Sequence, residues 1–265
     1  VSSNTALALS GASDKGSFYL SNSYNFREGT APTNEFERNS LLFKGSYNLA
    51  KWLTADASVS FTNSRATNPG NDLSASFVTG SWAGWYDTKR WSQQEVYQAP
   101  HGGTPNNNYG DKYGNVPGNG TWFGYNMNTS TRKETVTRPV VRLTADLADW
   151  ISVTAEANMN QYNTFQENKG LGSGYANNGG SYRLENHRNV SRTLKLMSNM
   201  NKEFGDFSAN LIVGGEIWDT ENASTSTWTD GGLIVPGRFY MGNSKKTLGT
   251  SAWVYDKCPL SSIFC

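Results

Sequence analysis

Between Phe36 and Thr62 the chain writes out two long strands joined by almost nothing. From Leu41 onward one parity reads Leu41, Phe43, Gly45, Tyr47, Leu49 and the other reads Leu42, Lys44, Ser46, Asn48, the period of two expected of a strand with one apolar face. After Ala50 and Lys51 the pattern starts again. Leu53, Ala55, Ala57, Val59 and Phe61 form an apolar row, and Thr54, Asp56, Ser58, Ser60 and Thr62 form a polar one. So short a turn makes the two strands antiparallel neighbours. Strands in soluble domains commonly run about five or six residues, whereas each of these alternates for about the 9–11 residues that a tilted strand needs to cross a bilayer. In a membrane the apolar row faces lipid and the row with Lys44 and Asp56 faces a polar lumen. In a soluble sandwich the same apolar row faces a core.

The rest of the chain repeats this layout. Thr5, Leu7, Leu9 and Gly11 precede the turn Ser13-Asp14-Lys15-Gly16, and Phe18, Leu20, Tyr24 and Phe26 follow it. Val141, Leu143, Ala145 and Leu147 lead into Ala148-Asp149-Trp150, and Ile151, Val153, Ala155, Ala157 and Met159 lead out. Leu194, Leu196, Met200 and Phe204 reach Gly205-Asp206, after which Phe207, Ala209, Leu211, Val213 and Ile217 continue. Between these hairpins lie connections of another kind: a modest loop from Thr30 to Glu35, a long Gly-, Asn- and aromatic-rich span from Arg65 to about Lys133, a Gly-rich stretch from Gln166 to Ser181, and a stretch from Asn222 to Thr250. A short helix within Leu73–Trp85 is the only helical expectation.

Lys44, Asp56, Arg142, Asp146, Glu156, Lys195 and Glu216 all fall on the polar parity, and the apolar rows carry no charge in mid-strand. A Lys or Arg on a lipid face costs about 2–4 kcal/mol at the midplane, so a membrane barrel requires this segregation. A soluble sheet also favours it. The turns alternate short and long, as in outer-membrane barrels with short periplasmic turns and long outer loops, and Greek-key sandwiches have no reason to keep that order. The expected fold is therefore all-β, an antiparallel up-and-down transmembrane β-barrel segment of about eight strands. Two alternatives stay open: a soluble carbohydrate-binding β-sandwich and a small self-contained outer-membrane barrel.

Composition agrees. The chain has 265 residues and a formal net charge of +1, which gives no basis for nucleic-acid binding. Its 27 Gly, 13 Tyr, 12 Phe and 9 Trp fit aromatic girdles and polar loops. The negative mean hydropathy is no obstacle, because half of each barrel strand faces water. No run long enough for a transmembrane helix occurs. Val1 is not an initiating Met and the chain stops abruptly after Cys258-Pro259-Leu260-Ser261-Ser262-Ile263-Phe264-Cys265, so residues 1–265 are read as an internal section of something larger.

Few residues invite chemistry. His101 and His187 lack partners at ligand spacing, so no metal or cofactor is expected. A Cys258–Cys265 bridge would constrain little chain. Gly170-Leu171-Gly172-Ser173-Gly174 lacks the strand–turn–helix setting of a nucleophile elbow, and no enzyme is expected. The long loop carries Trp82, Trp85 and Trp122 among many aromatics, whose flat faces suit sugar rings or peptides. These three are the candidate substrate-binding residues. The competing reading makes them the loop's own small core or a contact with a capping protein. Trp52 and Trp150, at two short turns, are read either as an interfacial belt or as turn packing.

The wording also resembles a family. Gly16-Ser17-Phe18-Tyr19-Leu20-Ser21-Asn22-Ser23-Tyr24-Asn25-Phe26-Arg27-Glu28-Gly29 with Asn34, Phe36 and Arg38, and Tyr47-Asn48-Leu49-Ala50-Lys51-Trp52-Leu53 with Asn63, are similar to the early barrel of SusC/RagA-type TonB-dependent outer-membrane transporters. Gly232-Leu233-Ile234-Val235-Pro236-Gly237 and Met241-Gly242-Asn243-Ser244 resemble a later loop of the family, and Ser261-Ser262-Ile263-Phe264 resembles the start of the next strand. Cys265 departs from the Gly usual there. The resemblance implies a barrel of about 22 strands around an N-terminal plug, outer-membrane lipid as surroundings, a SusD-like surface lipoprotein as partner, TonB acting through an N-terminal region upstream of Val1, and glycans or peptides as cargo.

Overall fold

The computed structural model describes residues 1–30, 33–69, 126–171 and 179–264. Among them lie nine strands: β1 (Ser2–Ser13), β2 (Gly16–Glu28), β3 (Glu35–Ala50), β4 (Leu53–Thr67), β5 (Thr129–Ala148), β6 (Ile151–Gly170), β7 (Ser181–Phe204), β8 (Phe207–Trp228) and β9 (Gly249–Phe264). They form one sheet in chain order, each antiparallel to the next. β1 and β9 are its two edges and do not pair with each other, so the described residues make an open section of wall and not a small closed barrel.

All four brief reversals sit at one end of the sheet, at residues 14–15, 51–52, 149–150 and 205–206. The strand ends that flank residues 29–34, 68–128, 171–180 and 229–248 lie at the other. Neighbouring reversals are tied together: the carbonyls of Lys15, Trp52 and Trp150 accept the N–H groups of Asn48, Asp146 and Asn201 at 2.7, 2.8 and 2.8 Å. Gly205 occupies a left-handed conformation, φ 63°, that a tight reversal needs and a glycine adopts without penalty. β3 and β5 each carry an irregularity just before their turns, at Asn48/Ala50 and Asp146/Ala148, so the two hairpins share a local design.

One cross-strand row shows how the faces separate. Gly11, Phe18, Gly45, Ala57, Val141, Ala157, Leu194 and Ile217 are successive partners across β1 to β8 and lie on one face. Nothing covers it among the described residues: Val141, Leu194 and Ile217 remain about half exposed. The Phe18 ring lies over Gly11, whose added Cβ would come within 2.6 Å of it, so the large side chain covers backbone that its small neighbour leaves bare. A sandwich would bury this face under a second sheet. Here the apolar side of a single layer points outward, uncovered, over a breadth that is uncommon on soluble monomers.

The apolar stretch has bilayer dimensions. At about 3.3 Å per residue and a tilt near 40°, each residue adds about 2.5 Å of height. Leu41–Leu49 then covers about 20 Å and Phe207–Ile217 about 25 Å, close to the ~25 Å band of barrel exteriors. The strands run well past that band toward the long-loop end, for β7 covers 24 residues and β8 22. The loops expected at Gln166–Ser181 and Asn222–Thr250 are accordingly shorter, because β6 continues to Gly170, β7 begins at Ser181 and β8 reaches Trp228. β9 starts at Gly249, well ahead of Ser261, and brings the strand number to nine among the described residues. The short helix expected within Leu73–Trp85 and the bond considered between Cys258 and Cys265 fall outside the described residues.

Candidate functional site: the lumen wall and its outer rim

One residue along each strand from the outward row lies a second row, on the opposite face. Ser46, Asp56, Arg142, Glu156, Lys195, Glu216 and Ser262 are successive partners across β3 to β9. The central five alternate in sign. Strand propensity explains neither the charges nor their order, and opposite charges directly across a sheet attract by about 0.2–1 kcal/mol per pair. Arg142 reaches Glu156 Oε2 with Nε at 2.9 Å and Nη2 at 2.5 Å, and Asn158 Nδ2 donates to Glu156 Oε1 at 3.2 Å. Ser262 lies within 3.5 Å of Glu216 at the far end. Lys44, one row nearer the long loops, opens onto the same hollow as Asp56 and Arg142, about 410 Å³ in volume.

The inner face stays polar above this ladder. Arg138 stacks 5.3 Å over the Tyr162 ring and donates to its hydroxyl. Asn189 also donates to Asn222 on this face. Such a wall exposes donors and acceptors in many directions. Among the described residues no group of three or more His, Cys, Asp or Glu is placed to hold a metal ion.

The rim at the long-loop end is built, not loose. Asn68, 1 % exposed and in a left-handed conformation at φ 48°, ends β4. Its N–H donates to the Ser130 carbonyl at 2.6 Å, its Oδ1 accepts from Ser130 N at 2.8 Å, and its Nδ2 donates to Thr33 Oγ1 at 2.6 Å. One side chain thus fixes the point where the chain leaves for the aromatic-rich span and returns. Asn243 does the same for the 229–248 connection: its Nδ2 donates to the carbonyls of Val235 and Arg238 at 2.8 and 2.6 Å, and its Oδ1 accepts from Val235 N at 3.0 Å. Leu233, wholly buried, comes so near Gly179 that a Cβ there would lie 2.3 Å from the Leu233 carbonyl oxygen.

Tyr182 stands beneath this junction, by the same height arithmetic about 30 Å above Leu194 and clear of the apolar band. Its hydroxyl donates to Glu167 Oε1 at 2.8 Å, and its ring packs 6.2 Å from Phe239. Burial, and then the Glu167 carboxylate beside it, push the hydroxyl up to about 12. Leu171 is buried against Met127 and Phe239, joining three connections at one point. The resemblance singled out the stretches around Leu233 and Asn243. It did not indicate that the two hold a loop closed.

Trp82, Trp85 and Trp122, the expected substrate-binding residues, lie outside the described residues. Trp52 and Trp150 are 53 % and 43 % exposed at the short-turn end, which favours an interfacial belt over turn packing. Lys202 sits 5.2 Å over the Trp150 ring and 5.6 Å over Phe204, a cation leaning from the apolar band toward water. Periodicity did not indicate the charges on the outward face above the band, Arg188, Arg192, Asp219 and Glu221. Arg188 and Arg192 continue the parity of Leu194, as Asp219 and Glu221 continue that of Ile217.

No helix among the described residues is long and apolar enough to cross a membrane. No protein-family model matches the sequence, and no curated protein does. Among solved structures the chain is similar to the RagAB peptide transporter, with 15 % identity and a TM-score of 0.67 over 96 % of this chain and 29 % of that one. It is also similar to FpvA of P. aeruginosa bound to heterologous pyoverdines, at 12 % identity, TM-score 0.57, 90 % of this chain and 28 % of that one. The siderophore receptor PiuA from Acinetobacter baumannii gives 12 % identity, TM-score 0.52, 97 % of this chain and 36 % of that one. The chain therefore spans about a third of the length of these proteins or less, and its fold is that of a section of the barrel wall of TonB-dependent outer-membrane transporters such as the RagAB transporter.

Proposed function

We propose that the chain is part of a TonB-dependent active importer of the outer membrane that takes up oligosaccharides or peptides together with a SusD-like surface lipoprotein. The observation that carries this reading is the pairing of two adjacent rows, apolar outside and charged inside, across a wall whose brief turns share one rim. The likeness in fold to the RagAB peptide transporter supports peptides as cargo, and the aromatic-rich span holding Trp82, Trp85 and Trp122 supports either class. The lipoprotein partner is supported by the family resemblance around Gly16–Gly29 and by the ordered outer rim at Leu233 and Asn243.

The test is uptake by cells producing the full-length protein with its neighbouring lipoprotein. Fluorescent oligopeptides and oligosaccharides are supplied in parallel, with and without dissipation of the proton-motive force. Energy-dependent accumulation of one class supports the reading. Passive leakage of small solutes at the same rate in energised and de-energised cells overturns it.

A further inference from the structure

Above the apolar band the inner face changes character on the last three strands. Trp253 and Tyr255 of β9 pair with Ser224 and Asn222 of β8, which pair in turn with His187 and Asn189 of β7. These rows continue through Thr164 and Tyr162 to Glu134 and Val136 on the parity of Arg142, hence on the charged inner face. Two residues apart, both rings stand on that face about 7 Å from each other along the strand. They are 52 % and 57 % exposed, about 15 Å beyond Ile217 toward the long-loop rim. Around Trp253 the neighbours on this face hydrogen-bond but carry no charge: Ser224 directly across, Ser226 and Asn222 diagonally, Ser251 and Tyr255 along β9. Arg188, Arg192, Asp219, Glu221 and Asp256, at the same height, all take the outward parity. Glu185, across from Ser226, is held by Arg183 at 2.5 Å. Ser226 is 7 % exposed, and its hydroxyl has no hydrogen-bond partner among the described residues. Leaving a buried hydroxyl so costs about 1–3 kcal/mol, which a ligand hydroxyl would offset.

We propose that Trp253 and Tyr255 form a subsite for an uncharged oligosaccharide, with one sugar ring stacked on Trp253 and its hydroxyls on Asn222, Ser226 and Ser251. The proposal rests on the importer reading and narrows its cargo. A sugar ring offers C–H groups on its face and hydroxyls at its edge, so it matches a flat aromatic surface bordered by hydroxyl and amide groups. Asn222 is already oriented for this, because its Oδ1 accepts from Asn189 and its Nδ2 is left to donate. A peptide brings charged ends, and an acidic sugar brings carboxylates. No charged side chain borders Trp253 among the described residues to meet either, so desolvating those charges here goes uncompensated.

The experiment is calorimetric titration of the full-length protein in mild detergent with cellohexaose, maltohexaose, mannohexaose, hexagalacturonate and hexaalanine. The expected result is binding of at least one neutral hexasaccharide, about tenfold or more tighter than hexagalacturonate and hexaalanine. Trp253→Gln keeps bulk but loses the flat face, and weakens that binding about tenfold, whereas Trp253→Phe retains most of it. Ser226→Ala weakens it about threefold while the midpoint of heat-induced unfolding stays or rises, since an unpaired hydroxyl is removed. If Trp253→Gln does not fold, a fluorescence change on sugar binding that is present in the wild type and absent in Trp253→Phe reads the same contact. Hexaalanine binding tighter than every sugar, a wild type that binds no sugar, or undiminished sugar binding by folded Trp253→Gln overturns the subsite. Each of these leaves the importer reading standing as long as cargo accumulates only in energised cells. Equal uptake in energised and de-energised cells overturns that reading instead.

Discussion

Arg142 and Glu156 face each other across β5 and β6, Nε 2.9 Å from Oε2, with Asp56 on one side and Lys195 on the other. Arg142→Glu would set three carboxylates side by side, each like-charged neighbour costing about 0.2–1 kcal/mol. In the full-length protein the midpoint of heat-induced loss of folded migration on gels is expected to fall, and the fall to shrink at high salt as the charges are screened. Arg142→Gln should move the midpoint less. An Arg142→Glu midpoint equal to wild type at low salt would show that the ladder contributes nothing.

Ser58 and Val59 are chain neighbours on opposite faces, Ser58 opposite Lys44 inside and Val59 opposite Phe43 outside. Val59→Lys is expected to destabilise folding into lipid vesicles by about 2–4 kcal/mol, because the ammonium meets hydrocarbon. Ser58→Lys, in a wet lumen, should change it by less than about 1 kcal/mol. Urea titration of vesicle-inserted protein reads both, and equal penalties would contradict the assignment of faces.

Gly179, at φ 93°, has no room for a side chain beside the Leu233 carbonyl. Gly179→Ala should release the 229–248 connection at a cost of about 1–3 kcal/mol. The sign is faster cleavage within 229–248 by external protease, with heat-modifiable migration retained. Gly205→Ala is the contrast: its φ is also positive, but nothing lies within 4 Å of the added carbon. It should leave that cleavage unchanged.

Tyr182 should ionise near 12, above the usual tyrosine value of about 10. The folded state holds the neutral phenol more firmly than the unfolded chain does, so this group's contribution to stability is complete below pH ~10 and disappears as pH rises toward 12. Difference absorbance at 295 nm between wild type and Tyr182→Phe isolates the transition. Glu167→Gln removes the carboxylate and should move the transition downward. A transition already complete near pH 10 in the wild type would contradict the burial.

Trp82, Trp85 and Trp122 carry the binding reading of the aromatic-rich span. Each Trp→Ala change in the full-length transporter is expected to weaken ligand binding by about 0.5–1.5 kcal/mol if its ring stacks on cargo. Calorimetry with the oligosaccharide or peptide that the cells accumulate measures it. Affinity unaltered in all three would assign the rings to loop packing.

The part of the wall within the apolar band was legible in the residues because each strand there has two faces of opposite character. Leu41, Phe43 and Tyr47 lie on one, Leu42, Lys44 and Ser46 on the other, and the alternation records it. Beyond the band that contrast ends. Asn222 to Thr227 are almost wholly polar on both parities, so the end of β8 read as a loop although it continues as a paired strand. β9 hid for the opposite reason, since Trp253 and Tyr255 on one parity and Ala252 and Val254 on the other leave neither side recognisably polar. The junction of Gly179 with Leu233 joins residues far apart in the chain, and composition showed only a Gly-rich stretch. The charge ladder was half visible: its members stood out on the polar parity, but their alignment needed the pairing of five strands.

Two adjacent rows of opposite character also act as a proofreading code for assembly. If β6 slid by one residue against β5, Glu156 and its kind would turn into hydrocarbon and Ala157 inward, an error that grease alone detects. A slide by two restores the faces but leaves Arg142 across from Thr154 or Asn158, with no carboxylate to answer it. Odd displacements are thus caught by lipid and even ones by charge, and a nascent hairpin docked out of step fails at least one of the two checks.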